Sequence, residues 1–296
     1  MRVAIAVAGV MALLSAVPAG ALEFSHDGRL RTAELVVPAA AEGPLATLFV
    51  LHGGRGGGAR VRALTGLDRL ARETGFVAVF PSAIGGNWDD GRAAPAIRAR
   101  HGGQAIDDVG YLAALARRLI ARGTTDPARL FVMGLSNGGM MTLRLACESA
   151  DLFRAFVAVI ASLPAALAAR CRPARPVPVM LMNGTADRLV PWAGGRVAPM
   201  WPADRGQVLS TPATLAFWRR VDRCGDTATE QDRGAVGGAV RLTVTAWRDC
   251  APGAAVVLYR FAGMGHRWPG PGANRAGATA QDFAAGEAIL RFLALR

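Results

Sequence analysis

The chain has 296 residues and a formal net charge of +12, with 52% hydrophobic and 6% aromatic residues. All 34 basic residues are arginine, and they are scattered among alanines and glycines rather than gathered in runs. That dispersion indicates a compositional bias and argues against a nucleic-acid-binding protein, whose basic residues form patches. The length is sufficient for one large α/β domain with a deep core.

The N-terminal segment has the composition of a secretory signal. Arg2 is its only charged residue, residues 3–17 are almost wholly apolar, and residues 19–21 form a small-x-small cleavage site. This apolar run is too short to span a membrane comfortably, and no later stretch is long and apolar enough. We therefore expect an exported chain without membrane insertion, in which residues 1–21 are removed and residues 22–296 form a single domain.

Apolar runs bounded by glycine and proline alternate with segments of helical periodicity. The predicted strands are Thr32–Val37, Leu45–Leu51, Phe76–Phe80, Leu130–Met133, Ala155–Ala161, Val177–Met182, Val240–Ala246 and Val256–Phe261. The predicted helices are Val61–Glu73, Ala105–Arg122, a helix directly after Gly139, Ala213–Asp222 and Gln281–Leu293. The predicted irregular segments are Pro81–Gln104, Ala193–Pro212 and Gly225–Gly238. Such alternation predicts an α/β fold with a mostly parallel central sheet and helices on both faces.

The four cysteines suit an exported protein with two disulfides. Three pairings are possible, and we favour Cys147 with Cys171 and Cys224 with Cys250, because each closes a loop of moderate length within one supersecondary unit. A metal site is the rival interpretation. It is weak because the sequence contains no CxxC and no clustered histidines.

A strand, a sharp glycine-rich turn and a helix meet at Ser136. The strand Leu130–Met133 ends in the segment GLSNGG, and apolar residues then recur at helical spacing. A serine in this G-x-S-x-G setting stands clear of the sheet at a helix N-terminus, where orphan N–H groups favour developing negative charge. The sequence therefore predicts a nucleophile elbow, although glycine is abundant enough for the pattern to arise by chance.

A second glycine-rich loop, HGGRGGG, follows the strand Leu45–Leu51. It lacks the lysine of a phosphate-binding P-loop and the spacing of a dinucleotide fingerprint. An oxyanion-binding loop fits, because an α/β-hydrolase takes one N–H donor from this place; a merely flexible loop is the alternative.

A serine nucleophile needs a base and an acid that orients the base. His266 follows the last predicted strand in a glycine-flanked loop, whereas His52 is better interpreted as bracing the glycine loop. Asp187 directly follows a buried strand, while the alternatives Asp204 and Asp222 lie in an irregular segment and at a helix end. The order Ser, Asp, His is that of the α/β-hydrolases.

The long segment Pro81–Gln104 contains Trp88, which could contact substrate or pin its own loop. We expect Trp88, Trp192 and Trp268 to be substrate-binding residues, since aromatic faces accept aromatic and aliphatic groups. Asp107 and Asp108 begin a predicted helix and are more readily helix caps than catalysts.

From about Leu48 onward, the chain carries six motifs of one protein family. They are LHGG at Leu51–Gly54, LTGLD at Leu64–Asp68, DDVGYL at Asp107–Leu112, GLSNGGMM at Gly134–Met141, NGTADRLVPWAGG at Asn183–Gly195 and GMGHRWPG at Gly263–Gly270. With these motifs the sequence resembles the polyhydroxybutyrate depolymerase and feruloyl esterase group of exported α/β-hydrolases, which is related to carbohydrate esterase family 1.

The resemblance implies a nucleophile at Ser136, an orienting acid at Asp187 and a general base at His266. It also implies oxyanion donors on the backbone N–H groups of Gly54 and Asn137, and it supports both favoured disulfides. The family often has His at the position of Asn183 and Asp at that of Ser82, so these two positions depart from the pattern.

The expected activity is hydrolysis of carboxylic esters through an acyl-enzyme, with 3-hydroxybutyrate oligomers as the leading substrate and plant cell-wall esters, feruloyl or acetyl, as the alternative. An acyltransferase, a non-catalytic polymer binder and a serine peptidase are the competing classes. No metal or organic cofactor is expected, because protein groups fill each catalytic role. The sequence gives no indication of oligomeric state.

Overall fold

The structure is a computed structural model that describes residues 20–39, 43–271 and 280–295. The predicted signal sequence lies outside these ranges except for Gly20 and Ala21, the first residues of strand β1. The strands are β1 Gly20–His26, β2 Arg29–Val36, β3 Leu45–Leu51, β4 Val77–Pro81, β5 Thr125–Leu135, β6 Phe156–Val159, β7 Val179–Gly184, β8 Gly195–Arg196, β9 Gln207–Val208, β10 Thr229–Ala235, β11 Arg241–Trp247 and β12 Val256–Ala262.

Eight α-helices lie within the described part of the chain. They are α1 Gly58–Thr65, α2 Leu67–Thr74, α3 Pro95–Arg100, α4 Asp108–Ala121, α5 Asn137–Glu148, α6 Ala165–Ala168, α7 Thr211–Val221 and α8 Ala285–Phe292, with a 3₁₀ turn at Ile84–Gly86. Within the described ranges, no helix is long and apolar enough to cross a membrane.

Ten strands form one sheet in the order β1-β2-β4-β3-β5-β6-β7-β12-β11-β10, and β8 and β9 form a separate short pair. The six central strands, from β4 to β12, are mutually parallel. Antiparallel strands flank them at both ends. The predicted mostly parallel α/β sheet is therefore confirmed for its centre. Its parallel strands are continuous apolar runs because both of their faces are buried.

Each face of the sheet packs into its own hydrophobic cluster. Along β3, Leu48 and Val50 belong to one cluster, whereas Phe49 and Leu51 belong to the other. Side chains of α4, α5 and α7 join the cluster of Phe49, and side chains of α1, α2 and α8 join that of Leu48. The helices therefore cover both faces, and the carboxyl ends of the parallel strands are left to carry functional loops.

Several segments differ from their predicted structure. The segment Pro81–Gln104, predicted as irregular, contains α3, and Ala193–Pro212 contains β8 and β9. The single helix Val61–Glu73 is wrong, because Gly66 adopts a φ of 63° that ends α1 and begins α2. The loop predicted at Gly225–Gly238 contains β10, a strand whose polar side chains are mostly exposed. Strand β1 was not predicted, since its first residues continue the apparent cleavage site.

The structure contains two disulfides, and their pairing is the one that loop length favoured. Cys147, in the last turn of α5, is bonded to Cys171 after α6. Cys224, after α7, is bonded to Cys250 between β11 and β12. No described cysteine is free. Each bridge stabilises the fold by about 3 kcal/mol through its effect on the unfolded chain.

Asp222 joins the end of α7 to the start of β7. It is fully buried, its Oδ1 accepts a hydrogen bond from the Val177 N–H at 2.8 Å, and its Oδ2 has no partner within the described residues. Burial raises the pKa of Asp222 to about 7, although the Val177 N–H and Arg175 oppose this shift. The native state thus holds a proton here that the unfolded chain releases near its usual pKa of 3.8.

Because the folded-state pKa is raised, Asp222 lowers the free energy of unfolding as pH rises from about 4 to 7, by at most about 4 kcal/mol. Asp222→Asn mimics the protonated acid and should remove this loss, so the variant gains stability over the wild type at pH 8 but not at pH 4.5. Urea denaturation at both pH values measures the difference. Asp226→Asn, at a fully exposed neighbour, should show no pH-dependent gain; an equal gain in both variants contradicts the assignment.

Candidate active site

The turn after β5 holds Ser136 in a backbone conformation that side chains rarely adopt, with φ 54° and ψ −118°. The neighbouring glycines make this turn possible. A Cβ at Gly138 would overlap the carbonyl oxygens of Leu51 and His52, and one at Gly134 would overlap the Gly138 carbonyl. The close approach of helix α5 to the sheet therefore requires glycine at both positions.

The side chains of Ser136, His266 and Asp187 lie in a hydrogen-bonded line. His266 Nε2 is 2.9 Å from Ser136 Oγ, and His266 Nδ1 is 2.7 Å from Asp187 Oδ2. Each residue follows a different strand of the parallel part of the sheet, respectively β5, β12 and β7, so the carboxyl ends of these strands bring together residues far apart in sequence. In this arrangement Nδ1–H donates to the carboxylate, and Nε2 is left as the acceptor for the serine hydroxyl proton.

Asp187 is fixed by its own loop. Its Oδ1 accepts hydrogen bonds from the N–H groups of Leu189, at 2.8 Å, and Val190, at 2.9 Å, while its Oδ2 faces His266. The side chain is 3% exposed, whereas that of His266 is 15% exposed. The two alternative acids are occupied elsewhere. Asp222 contacts Val177, and the exposed Asp204 accepts from the Gly206 N–H.

His52 braces the glycine loop, as the sequence indicated. Its Nε2 accepts from the Ala83 N–H at 3.0 Å, so the proton resides on Nδ1, which donates to the Gly53 carbonyl at 2.8 Å. Burial lowers the pKa of His52, partly opposed by the bond to Gly53, and so favours the neutral ring. This histidine is a structural brace that joins β3 to the loop after β4.

The braced loop lies against the nucleophile elbow. A Cβ built at Gly53 would be 3.5 Å from Ser136 Cβ, and one at Gly54 would be 3.8 Å from Asn137 Cβ. The N–H groups of Gly54 and Asn137 donate to no acceptor within the described part of the chain. Two free N–H groups beside the serine are what an oxyanion site requires.

The side chain of Asn137 anchors the long loop after β4. Its Oδ1 accepts from the Trp88 N–H at 2.8 Å, and its Nδ2 donates to the Trp88 carbonyl at 3.0 Å and to Asp90 Oδ2 at 2.6 Å. Asp90 in turn forms a buried ion pair with Arg92 at 2.8 Å. Sequence reasoning assigned Asn137 a backbone role alone and missed this second role.

Two further contacts hold the same loop. The Asp89 N–H donates to Asp108 Oδ2 at 2.7 Å, and Asp108 forms a buried ion pair with Arg31 at 2.6 Å. Arg144 on α5 donates to the Asp89 carbonyl at 2.6 Å. Asp107 caps α4 as expected, by accepting from the Gly110 N–H, but Asp108 is an ion-pair partner rather than a cap. The loop after β4 is thus fixed at several points.

The prediction of Trp88 as a substrate contact is wrong. Its side chain is fully buried, and its Nε1 donates to the His52 carbonyl at 2.9 Å. Trp268 is also buried in the core, and Trp192 is half-buried near Arg260 outside the cavity at Ser136. The tryptophan that does line this cavity is Trp201, which is 41% exposed and lies in a segment predicted only as irregular.

A cavity of about 370 Å³ opens onto Ser136 and His266. Apolar lining side chains include Ile160 after β6, Leu189 and Val190 after β7, and Val197 and Ala198 after β8. The other lining residues include five arginines, Arg55, Arg60, Arg92, Arg100 and Arg205. Within the part of the chain that the structure describes, no group of three or more acidic, histidine or cysteine side chains could hold a metal ion.

The departures from the family pattern leave the three aligned residues in place. Asn183 Oδ1 accepts from the Ala161 N–H, and its Nδ2 donates to the Ala161 carbonyl and to Thr211 Oγ1. Asn183 thereby ties β7 to the segments around α6 and α7. Ser82 Oγ accepts from the Gly58 N–H at the start of α1.

Comparison with known proteins identifies a matching family model and relatives of this chain. The model of the prolyl oligopeptidase family matches residues 69–168. The protein named "Putative esterase NocK", from Nocardia uniformis subsp. tsuyamanensis, is 32% identical over 244 residues, which cover 79% of this chain and 68% of NocK. The chain belongs to the α/β-hydrolase esterases.

Other known proteins match over a shorter stretch or in fold alone. Feruloyl esterase B of Piromyces equi is 31% identical over 91 residues, which are 30% of this chain and 17% of that protein. The acetyl xylan esterase from Aspergillus awamori superposes with a TM-score of 0.59 at 14% identity, over 94% of this chain and 100% of that one. The structure named sOPH gives a TM-score of 0.51 at 19% identity, over 70% of this chain and 76% of its own.

Proposed function

We propose that this carboxylic ester hydrolase works through an acyl-enzyme on Ser136, with His266 as general base and Asp187 as the orienting acid. The observation that carries the proposal is the line of two hydrogen bonds, 2.9 and 2.7 Å long, whose members Ser136 and His266 line the cavity. A serine hydroxyl becomes an effective nucleophile only when such a base removes its proton during attack.

The reaction follows from the positions of these groups. As Ser136 Oγ attacks the ester carbonyl, its proton moves to His266 Nε2, and the carboxylate of Asp187 stabilises the resulting imidazolium. The tetrahedral oxyanion accepts hydrogen bonds from the N–H groups of Gly54 and Asn137. The alcohol leaves with the proton from Nε2. Water then repeats the sequence on the acyl-enzyme and releases the acid.

For the substrate, we propose oligomers of 3-hydroxybutyrate. Aliphatic side chains, Ile160, Leu189 and Val190 among them, line the cavity that contains Ser136, and an aliphatic acyl chain buries its methyl groups there more fully than a polar sugar would. Feruloyl or acetyl esters of plant cell walls are the second candidate, favoured by the names of the relatives and by the exposed ring of Trp201, which could stack on an aromatic acid.

We also propose that the protein is exported. The structure contains two disulfides. Disulfides form and persist in oxidising compartments and are rare in the cytosol. The apolar segment before β1 is consistent with the same destination.

The substrate is tested by following acid release from 3-hydroxybutyrate oligomers, methyl ferulate and acetylated xylan, with Ser136→Ala as the blank. We expect kcat/KM to be highest for the oligomers. Higher kcat/KM for ferulate or acetyl release would overturn this substrate assignment in favour of a cell-wall esterase. Serine-dependent cleavage of peptide amides, or acyl transfer to an added alcohol in preference to water, would contradict the hydrolase class.

A further inference from the structure

Five arginines converge on the cavity from three separate parts of the chain. Arg55 and Arg60 follow β3, Arg92 and Arg100 belong to the long loop after β4, and Arg205 precedes β9. All five line the cavity that contains Ser136 and His266. No acidic side chain is among its lining residues in the described part of the chain.

Most of these guanidinium groups have no counter-charge from the protein. Arg92 is paired with Asp90, but the described residues supply no carboxylate within ion-pair distance of the other four. Arg205 is the most constrained of them. Its Nε is buried without a hydrogen-bond partner, and its guanidinium lies 4.4 Å from the ring centre of Trp201. Arg55 lies 5.9 Å from the same ring.

Burial lowers the pKa of Arg205, and the positive charges of Arg55, Arg100 and Arg92 lower it further. These like charges are therefore close enough to repel one another, which disfavours the folded state. A partly buried donor without an acceptor adds to that cost. The cluster would be relieved by an anion that enters the cavity from solution.

The arginine-rich composition does not by itself explain the cluster. Away from this cavity, some arginines form ion pairs, for example Arg62 with Glu34 and Asp68, and Arg144 with Glu148, and others have no carboxylate partner within the described residues. What distinguishes the cavity is that four arginines without a carboxylate partner line it together, with no acidic side chain among its described lining residues, and that the Nε of Arg205 is buried there without an acceptor.

We propose that this cavity binds esters that carry a carboxylate, and that Arg205, supported by Arg55 and Arg100, holds this carboxylate while Ser136 attacks the ester bond. A planar guanidinium matches a carboxylate in geometry and charge, and the exposed face of Trp201 keeps the guanidinium of Arg205 in place. This inference rests on the proposed esterase function and extends it, since a 3-hydroxybutyrate oligomer ends in a free carboxylate.

The preference is measured with two forms of one substrate, the 3-hydroxybutyrate trimer with a free carboxylate and the trimer capped as its N-methyl amide. Cleavage of the internal ester bonds is followed for both. The wild type should show a kcat/KM about 10- to 100-fold higher for the acid form, because charge-assisted hydrogen bonds contribute at this level. The ratio should fall as ionic strength rises.

The variant Arg205→Gln should bring the ratio of the two kcat/KM values close to one. Comparing two substrates in one protein cancels any general damage that the substitution causes. Arg241→Gln is the matched control, because this exposed arginine pairs with Asp232 on β10 and does not line the cavity. It removes the same charge and should keep the wild-type ratio. Equal kcat/KM for the two trimers in the wild type would overturn the proposal while leaving the esterase function intact.

Binding separates the carboxylate site from catalysis. Titration calorimetry of the Ser136→Ala protein should give a dissociation constant at least about tenfold lower for the acid trimer than for the capped trimer, and this difference should vanish when Arg205→Gln is added. Equal affinities would refute the carboxylate site even if neither trimer were cleaved.

Discussion

Replacing Ser136 by alanine is expected to lower kcat for ester hydrolysis by about 10⁴-fold or more, since the hydroxyl that forms the acyl-enzyme is gone. Folding should be nearly unaffected. Alanine fits the turn after β5 as well as serine does, and the only hydrogen-bond partner of Ser136 Oγ among the described residues is His266. Steady-state kinetics and thermal unfolding of the variant measure both effects.

The matched control for this variant is Ser25→Ala, at an exposed serine of β1 on the edge of the sheet. It should retain wild-type kcat. Activity of Ser136→Ala within tenfold of the wild type would mean that another group is the nucleophile.

Replacing Asp187 by asparagine should lower kcat by about 10³- to 10⁴-fold, because the change moves a proton on His266. The N–H groups of Leu189 and Val190 both donate to Oδ1, so the amide oxygen must occupy that position. The amide NH₂ then faces His266 Nδ1 and donates to it. The ring proton of His266 is therefore forced onto Nε2. In this tautomer Nε2 has no free lone pair and can no longer accept the proton of Ser136.

The Asp187→Asn loss should lessen at high pH, as hydroxide replaces the missing base, and a pH–rate profile from 6 to 10 measures this rise. Asp204→Asn serves as the control, since the exposed side chain of Asp204 accepts a hydrogen bond from the Gly206 N–H and has no other hydrogen-bond partner among the described residues. It should retain activity on an uncharged ester. A larger loss in Asp204→Asn than in Asp187→Asn would reassign the orienting acid.

The positions of the three aligned side chains could be predicted because the signal is local. Each of Ser136, Asp187 and His266 directly follows a buried apolar strand, and parallel strands place their carboxyl ends at one edge of the sheet. The pairing of the cysteines could be predicted for a similar reason, since each disulfide joins residues of one supersecondary unit.

Elements whose formation depends on tertiary contacts were not predictable. The apolar spacing from Val61 to Glu73 continues through Gly66, so periodicity alone does not reveal the change of direction there. Strand β10 has almost no buried side chain and exists because β11 supplies its hydrogen bonds. A tryptophan in a long loop is a typical ligand contact. Only the folded chain shows that Trp88 is instead hydrogen-bonded to His52 and Asn137.

The arginine cluster was hidden for another reason. In a chain whose 34 basic residues are all arginine, Arg55, Arg100 and Arg205 are individually unremarkable. Their convergence depends on how three loops meet, and the absence of partner carboxylates can be recognised only once the neighbours are known.

Asn137 has two roles, one of its backbone and one of its side chain, and together they determine which segments must be exchanged to change substrate specificity. Its backbone faces the proposed oxyanion site, while its amide holds Trp88 and Asp90 of the loop after β4. A designer who transplants that loop from a relative without its matching residue after the nucleophile disconnects it from the elbow. When esterases of this kind are recombined to obtain new substrate ranges, the loop after β4 and residue 137 must therefore be exchanged together as one unit.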